Sequence, residues 1–108
     1  MTTSRTKKTT PVPPQLIGVL KDAMQISATS FRLETFPTHI MASFSVKSQA
    51  GEIDFEMDAG QEMMDYLMAQ ATASRTGRFS LDYDGRRLDC QVTSDKRRRP
   101  SWVQLSWA

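Results

Sequence analysis

Residues 77–93 read GRFSLDYDGRRLDCQVT and contain the clearest structural pattern in the chain. On both sides of Asp84-Gly85, apolar residues occupy every second position: Phe79, Leu81 and Tyr83 before the pair, and Leu88, Cys90 and Val92 after it. This period of two is typical of a half-buried β-strand. Asp-Gly between two such runs predicts a two-residue hairpin turn, because both turn residues need positive φ and glycine adopts it at little cost. We therefore expect an antiparallel hairpin with one apolar face that other elements must cover.

Similar patterns predict the elements upstream of this hairpin. Residues 14–25 begin with proline and carry apolar side chains at helical spacing, which predicts an amphipathic helix. Three alternating runs at 30–36, 38–47 and 52–58 predict strands, with a turn at 48–51. Asp58 and Gln61 have the spacing of a capping box and predict the start of a second helix. The apolar stripe of that helix consists of Met63, Met64, Leu67, Met68 and Ala71.

A last alternating run at 101–107 completes the order helix, three strands, helix, three strands. This order predicts a single α+β domain over residues 14–108, in which two helices pack on antiparallel sheet. One sheet and a pair of sheets both fit the pattern. Residues 1–13 are polar, basic and end in proline, so we expect a flexible basic tail.

Composition limits the classes of protein to consider. The chain has 108 residues, of which 39% are hydrophobic, and a net charge of +2. Its length suits one domain with a modest core. No apolar run approaches the roughly 20 residues that a membrane span needs, and the first residues lack the apolar segment of a secretory signal. We therefore expect a cytoplasmic protein, without an intrachain disulfide because there is only one cysteine.

The sequence carries little that indicates catalysis. It contains neither a phosphate-binding P-loop nor a glycine-rich dinucleotide turn. One histidine and one cysteine cannot assemble the usual zinc ligand set within one chain. Acidic residues alternate along one predicted strand and its end, which favours a solvated strand face over a metal site; they are Glu52, Asp54, Glu56 and Asp58. We expect a protein that is not an enzyme and that needs no metal or cofactor.

A basic segment directly before the last predicted strand is the main candidate for binding. The candidate contact residues are Arg86, Arg87, Arg97, Arg98, Arg99 and Trp102. Guanidinium groups there could contact phosphates while the indole of Trp102 stacks on a base. The same residues suit an acidic protein surface. A solvated hairpin tip beside a packed tryptophan is the third interpretation, and all three remain open on the residues alone.

Several of these patterns resemble the N-terminal domain that precedes the motor in type II secretion and type IV pilus assembly ATPases. Residues 16–23, a helix of the form L-x-x-x-L-x-x-A, lead into ATSFRLE at 28–34, where the family reads A-S-D-I-H-L-E. Residues 76–94 follow the family pattern D-G-R-x-x-L-x-x-x-G-R-x-x-D-x-R-V-S-T. The resemblance covers residues 14–108 and is most specific over 77–94.

The chain departs from the family where the family contacts nucleotide. Family arginines of an R-F-R strand are replaced by Ser43 and Ser45, and a later arginine by Gln91. A serine lacks the charged, planar fork that guanidinium offers to phosphate. No counterpart of the motor domain is present in these 108 residues, so the resemblance does not imply ATP hydrolysis.

The resemblance implies a non-catalytic protein-interaction module. Such a module would be an accessory component or regulator of a type II secretion, type IV pilus or conjugation-type machine. Its partner would be a secretion or pilus ATPase or another protein of the machine. The alternative is a small nucleic-acid-binding protein that uses residues 96–99 and Trp102, which we consider second.

Overall fold

The computed structural model describes residues 12–95 and 100–107, and its elements follow the predicted order. The elements are α1 (Pro14–Gln25), β1 (Ser30–Thr35), β2 (His39–Val46), β3 (Gln49–Glu56), α2 (Met57–Ala73), β4 (Arg78–Tyr83), β5 (Arg86–Ser94) and β6 (Trp102–Trp107). The predicted α+β class is confirmed. Most of the predicted basic tail, residues 1–11, and the predicted contact residues Arg97, Arg98 and Arg99 lie outside the described ranges. Neither described helix is long and apolar enough to cross a membrane.

All six strands belong to one antiparallel sheet in the order β3-β2-β1-β6-β5-β4. The first and last strands are therefore neighbours at its centre, with Leu33 opposite Val103 and Phe31 opposite Leu105. This pairing joins the meander β1–β2–β3 to the hairpin β4–β5. The alternation of apolar residues fitted either one sheet or a pair of sheets, and this pairing shows that a single sheet forms.

The predicted hairpin forms at Asp84-Gly85. Tyr83 pairs with Arg86, so the loop has two residues, and φ is 53° at Asp84 and 75° at Gly85. Positive φ at both positions is what the hairpin turn requires, and glycine accepts it with little strain.

Both helices pack on one face of the sheet and bury the apolar side chains there. Leu16, Leu20, Leu33, Ile40, Met63, Leu67, Val103 and Leu105 are fully buried. We call the other side of the sheet the open face, because no described element covers it. It carries Arg32 and Glu34 of β1, Glu52, Asp54 and Glu56 of β3, and Trp102 and Gln104 of β6.

Two predicted boundaries were wrong. β3 begins at Gln49, since Lys47, with φ of 51°, and Ser48 alone make the turn from β2. α2 begins at Met57 directly after β3, and its N-cap residue, Glu56, forms no capping side-chain hydrogen bond. Asp58 lies inside the first turn of the helix, where its negative charge still favours the helix dipole.

The close contact between α2 and the sheet gives the first testable prediction. A Cβ atom at Gly60 would lie 2.5 Å from Cβ of the buried Ile40, whereas a Cβ at Gly18 would meet no atom within 4 Å. We expect Gly60→Ala to lower the free energy of unfolding by about 1–3 kcal/mol through overpacking. The matched change Gly18→Ala should raise it by about 0.5–1 kcal/mol through helix propensity. Urea unfolding measures both, and equal effects would contradict the predicted packing of α2.

Candidate functional site

Three side chains form a fixed cluster at the centre of the open face. Arg32 of β1 lies opposite Gln104 of β6, and Glu34 lies opposite Trp102. The Cζ atom of Arg32 is 4.3 Å from the centroid of the Trp102 ring, a cation–π geometry. Its Nε and Nη2 donate hydrogen bonds to Oε1 of Gln104 at 3.4 and 3.2 Å. The half-buried guanidinium and indole are therefore held in one arrangement.

The charge of Arg32 is not neutralised by a carboxylate in the described part of the chain. The close contacts found there between a basic and an acidic side chain join His39 to Asp54 and Arg87 to Asp89. The two hydrogen bonds to Gln104 use the Nε and Nη2 edge of Arg32 and leave Nη1 without a described partner. The Nη1 group of Arg32 can therefore donate a charge-assisted hydrogen bond to a carboxylate of another molecule.

A cavity of 330 Å³ lies beside this cluster. Its lining includes Ser30, Ser43 and Ser45 together with Arg32, Glu52 and Gln104. These groups supply hydroxyl, amide and oppositely charged contacts within one recess. Small-molecule and cofactor sites are mostly apolar with a few polar groups, so this lining better suits contact with the polar surface of a protein.

The open face carries more negative than positive charge. Its guanidinium groups are those of Arg32, Arg78 and Arg87, and its carboxylates are those of Glu34, Glu52, Asp54, Glu56, Asp82 and Asp89. A nucleic acid presents a dense row of phosphates and gains affinity by contact with cations. The carboxylates would repel it, so the described open face fits a protein partner better.

The described contact residues predicted from sequence are not brought together. Trp102 is half-buried on the open face, whereas Arg86 and Arg87 are exposed where β5 leaves the hairpin turn. Consecutive strand residues point to opposite sides, so even these two arginines project to different faces. Arg87 lies seven residues before Ser94, which pairs with Val103, and this separation is roughly 24 Å along an antiparallel strand.

Sequence reasoning missed Arg32 and Gln104. Both lie on the polar side of their strands, which the alternation shows. Their contact requires β1 and β6 to be adjacent, although the two residues are 72 positions apart. No local pattern indicates such a pairing. The sequence could indicate only that Gln104 lies on the same side of its strand as Trp102, two positions away.

His39 and Cys90 are of residue types that often act in catalysis, and each one contacts neighbouring side chains or backbone of the fold. The His39 ring stacks on Phe36 with centroids 5.1 Å apart, and its Nε2 is 3.8 Å from Asp54 Oδ1. Cys90 is 4% exposed and its Sγ donates to the carbonyl oxygen of Leu88 at 3.6 Å. Within residues 12–95 and 100–107, no group of three or more His, Cys, Asp or Glu residues could hold a metal ion.

No protein-family model matches the chain, and no curated protein is significantly similar to it. The resemblance of residues 14–108 to the secretion-ATPase domain therefore remains a hypothesis based on the sequence patterns. The function has to be inferred from the geometry and charge of the folded chain.

The environment of Cys90 predicts a pH effect on stability. Burial, and secondarily the negative charge of Asp89, raises the pKa of the thiol from 9.0 to about 11. Well below pH 9 the thiol is protonated in both folded and unfolded chains. As the pH rises from 9 towards 11, the unfolded chain loses the proton while most of the folded chain keeps it. Stability should therefore fall over this interval. Burial, and secondarily the charge of Cys90, also raises the pKa of Tyr66, so the difference between the native chain and Cys90→Ala measures the thiol together with its effect on Tyr66.

Urea unfolding at pH 8, 9, 10 and 11 measures this contribution. We expect the native chain to lose more stability than Cys90→Ala as the pH rises from 9 to 11. Parallel pH profiles of the two proteins would contradict the buried position of the thiol.

Proposed function

We propose that the chain is a non-catalytic protein-interaction module that binds its partner through the open face. The observation that carries this proposal is the fixed pair of Arg32 and Trp102, which is partly exposed and has no ion-pair partner among the described residues. The module would be an accessory component or regulator of a type II secretion, type IV pilus or conjugation-type machine. That assignment is supported by the sequence resemblance, most specifically over residues 77–94.

The residue types of the cluster suit a binding role. Tryptophan and arginine are enriched among the few residues that dominate binding energy at protein interfaces. Because stacking and two hydrogen bonds already hold Arg32, little side-chain entropy remains to be lost on binding. A complementary partner would place a carboxylate on Arg32 and basic side chains against the acidic residues of β3.

The open face also supports the proposal that nucleotide is not the ligand. Ser43 and Ser45, which stand where the resembling family has arginines, line the same cavity as Arg32. Their hydroxyl groups can donate hydrogen bonds but bring no positive charge. Triphosphate would meet Arg32 as the only guanidinium lining that cavity, with the carboxylate of Glu52 beside it.

Nucleic-acid binding is the alternative that Trp102 itself favours. An aromatic side chain on the open side of an antiparallel sheet can stack on an unpaired base. Residues 96–99 add four positive charges three to six positions before Trp102 in sequence. This alternative predicts an affinity that decreases steeply with salt concentration.

Capture from the native host tests the proposal. The tagged full chain and its Trp102→Ala variant are incubated with nuclease-treated lysate, and the bound proteins are identified by mass spectrometry. We expect the native chain to recover secretion, pilus or conjugation components. Loss of the indole should weaken their binding by about 2 kcal/mol, or roughly thirtyfold in affinity. Circular dichroism and urea unfolding show whether Trp102→Ala remains folded.

Charge variants give a matched control for this experiment. Asp54→Lys changes an exposed residue of the open face, and Asp22→Lys makes the same change on the exposed side of α1. Only Asp54→Lys should weaken capture. Equal capture by both variants and by Trp102→Ala would contradict binding through the open face. Partners recovered from a parallel untreated lysate but lost after nuclease treatment would favour the nucleic-acid alternative.

The predicted basic contacts are tested by two further variants. Charge reversal at Arg97, Arg98 and Arg99 should weaken capture, because this segment ends three positions before Trp102 in sequence. The double change Arg86→Glu and Arg87→Glu should leave capture unchanged, since these residues lie roughly 24 Å along the sheet from the cluster. If the double change weakens capture and charge reversal at residues 97–99 does not, the contact lies at the hairpin turn.

A further inference from the structure

A second surface lies on the helical side of the molecule and meets the open face at Glu56. It is a groove of 830 Å³ between the start of α1 and the first turns of α2. Pro13 and Tyr66 are its buried apolar members. Four exposed carboxylates also line it, those of Glu56, Asp58, Glu62 and Asp65. We call this surface the acidic groove.

The polar groups of the acidic groove lack complementary partners among the described residues. None of its four carboxylates takes part in an ion pair there, although Asp65 accepts a hydrogen bond from Gln61 at 2.9 Å. The Oε1 atom of Gln15, which also lines the groove, is buried and accepts no hydrogen bond from any described residue. Buried acceptors are normally satisfied, and leaving one unpaired costs about 1–3 kcal/mol. The groove therefore fits an occupant that brings positive charge and a hydrogen-bond donor.

The described part of the chain begins beside this groove. Pro13 lines it, and the half-buried Val12 packs against the core. Because consecutive Cα atoms are about 3.8 Å apart, the segment before Val12 must begin beside the groove. Residues 1–11 contain Arg5, Lys7 and Lys8 and no acidic residue. Lys8 is four positions before Val12 and can reach about 14 Å from it, enough to meet the carboxylates of α2.

The charges of the whole chain are divided in the same way, with the acidic residues in the described part and half of the basic residues outside it. All 12 acidic residues lie within the described ranges, whereas half of the 14 basic residues lie in 1–11 and 96–99. The described part is therefore net negative, and the segment that adjoins the acidic groove is positive. Opposite charge on a covalently attached segment favours binding, since attachment gives an effective concentration on the order of millimolar.

We propose that residues 1–11 bind in the acidic groove of the same chain. Lys7 and Lys8 pair with the carboxylates of α2, and a backbone N–H of the segment donates to Oε1 of Gln15. A basic segment of another protein would have to displace residues 1–11 to use this groove. The proposal does not depend on the open face, because the carboxylates that pair with the segment, those of Asp58, Glu62 and Asp65, belong to α2 on the helical side of the sheet.

Paramagnetic relaxation in the full chain tests this proposal. A nitroxide is attached at Thr3→Cys in a Cys90→Ala background, and the broadening of backbone amide signals is recorded by NMR. We expect the amides of Ala59, Gln61 and Glu62 to be the most strongly broadened. Reversing the charge at Lys7 and Lys8 should reduce the bound-to-free ratio roughly tenfold. The matched control Lys21→Glu with Lys47→Glu makes the same change in net charge elsewhere and should keep the broadening.

A charge swap separates pairing from an indirect effect. Adding Asp58→Lys and Glu62→Lys to the Lys7→Glu, Lys8→Glu chain should restore the broadening, because the two partners have exchanged signs. The proposal would be overturned if reversing the charge at Lys7 and Lys8 left the broadening unchanged. It would also be overturned if the charge swap failed to restore the broadening in a chain that unfolds like the native protein. Broadening that passes between a spin-labelled copy and an isotope-labelled copy would also overturn it, since the segment would then occupy a second molecule.

Discussion

The pairing of β1 with β6 is the interaction on which the rest of the structure depends. It joins a three-stranded meander to a two-stranded hairpin and places Phe31, Leu33, Val103 and Leu105 at the sheet centre, each no more than 1% exposed. Both helices then cover the continuous apolar surface that this junction completes. The same pairing brings Arg32 beside Gln104 and Trp102 on the opposite side. The contact between β1 and β6 therefore places core side chains on one side of the sheet and the candidate site on the other.

This dependence explains what the sequence could predict. The hairpin at Asp84-Gly85 was predictable because its turn and both strands lie within 17 residues, where alternation and turn chemistry act together. The element order and the inward side of each strand followed from the same local periods. The partner of β1 was not predictable, because backbone pairing over some 70 residues leaves no local pattern. Nothing in the sequence around Arg32 therefore indicated its contacts with Gln104 and Trp102.

The start of α2 shows a different limit of local reasoning. Asp58 and Gln61 have capping-box spacing, yet the helix already begins at Met57, so neither residue caps it. Helix α2 can follow β3 without a loop because Gly60 lets the helix backbone lie against Ile40. Tertiary packing decides the boundary here, and side-chain capping does not.

The register of β3 has a consequence for how the sheet meets other molecules. β3 is an outermost strand, and Glu52, Asp54 and Glu56 alternate along it with Ile53 and Phe55. If two copies paired along β3 in antiparallel fashion, carboxylates would face carboxylates across the new ladder, and like charges directly opposite are destabilising. This edge therefore opposes self-templated growth of the sheet, which is how unprotected strands begin to aggregate. A strand that carries lysine or arginine at alternate positions would meet no such barrier.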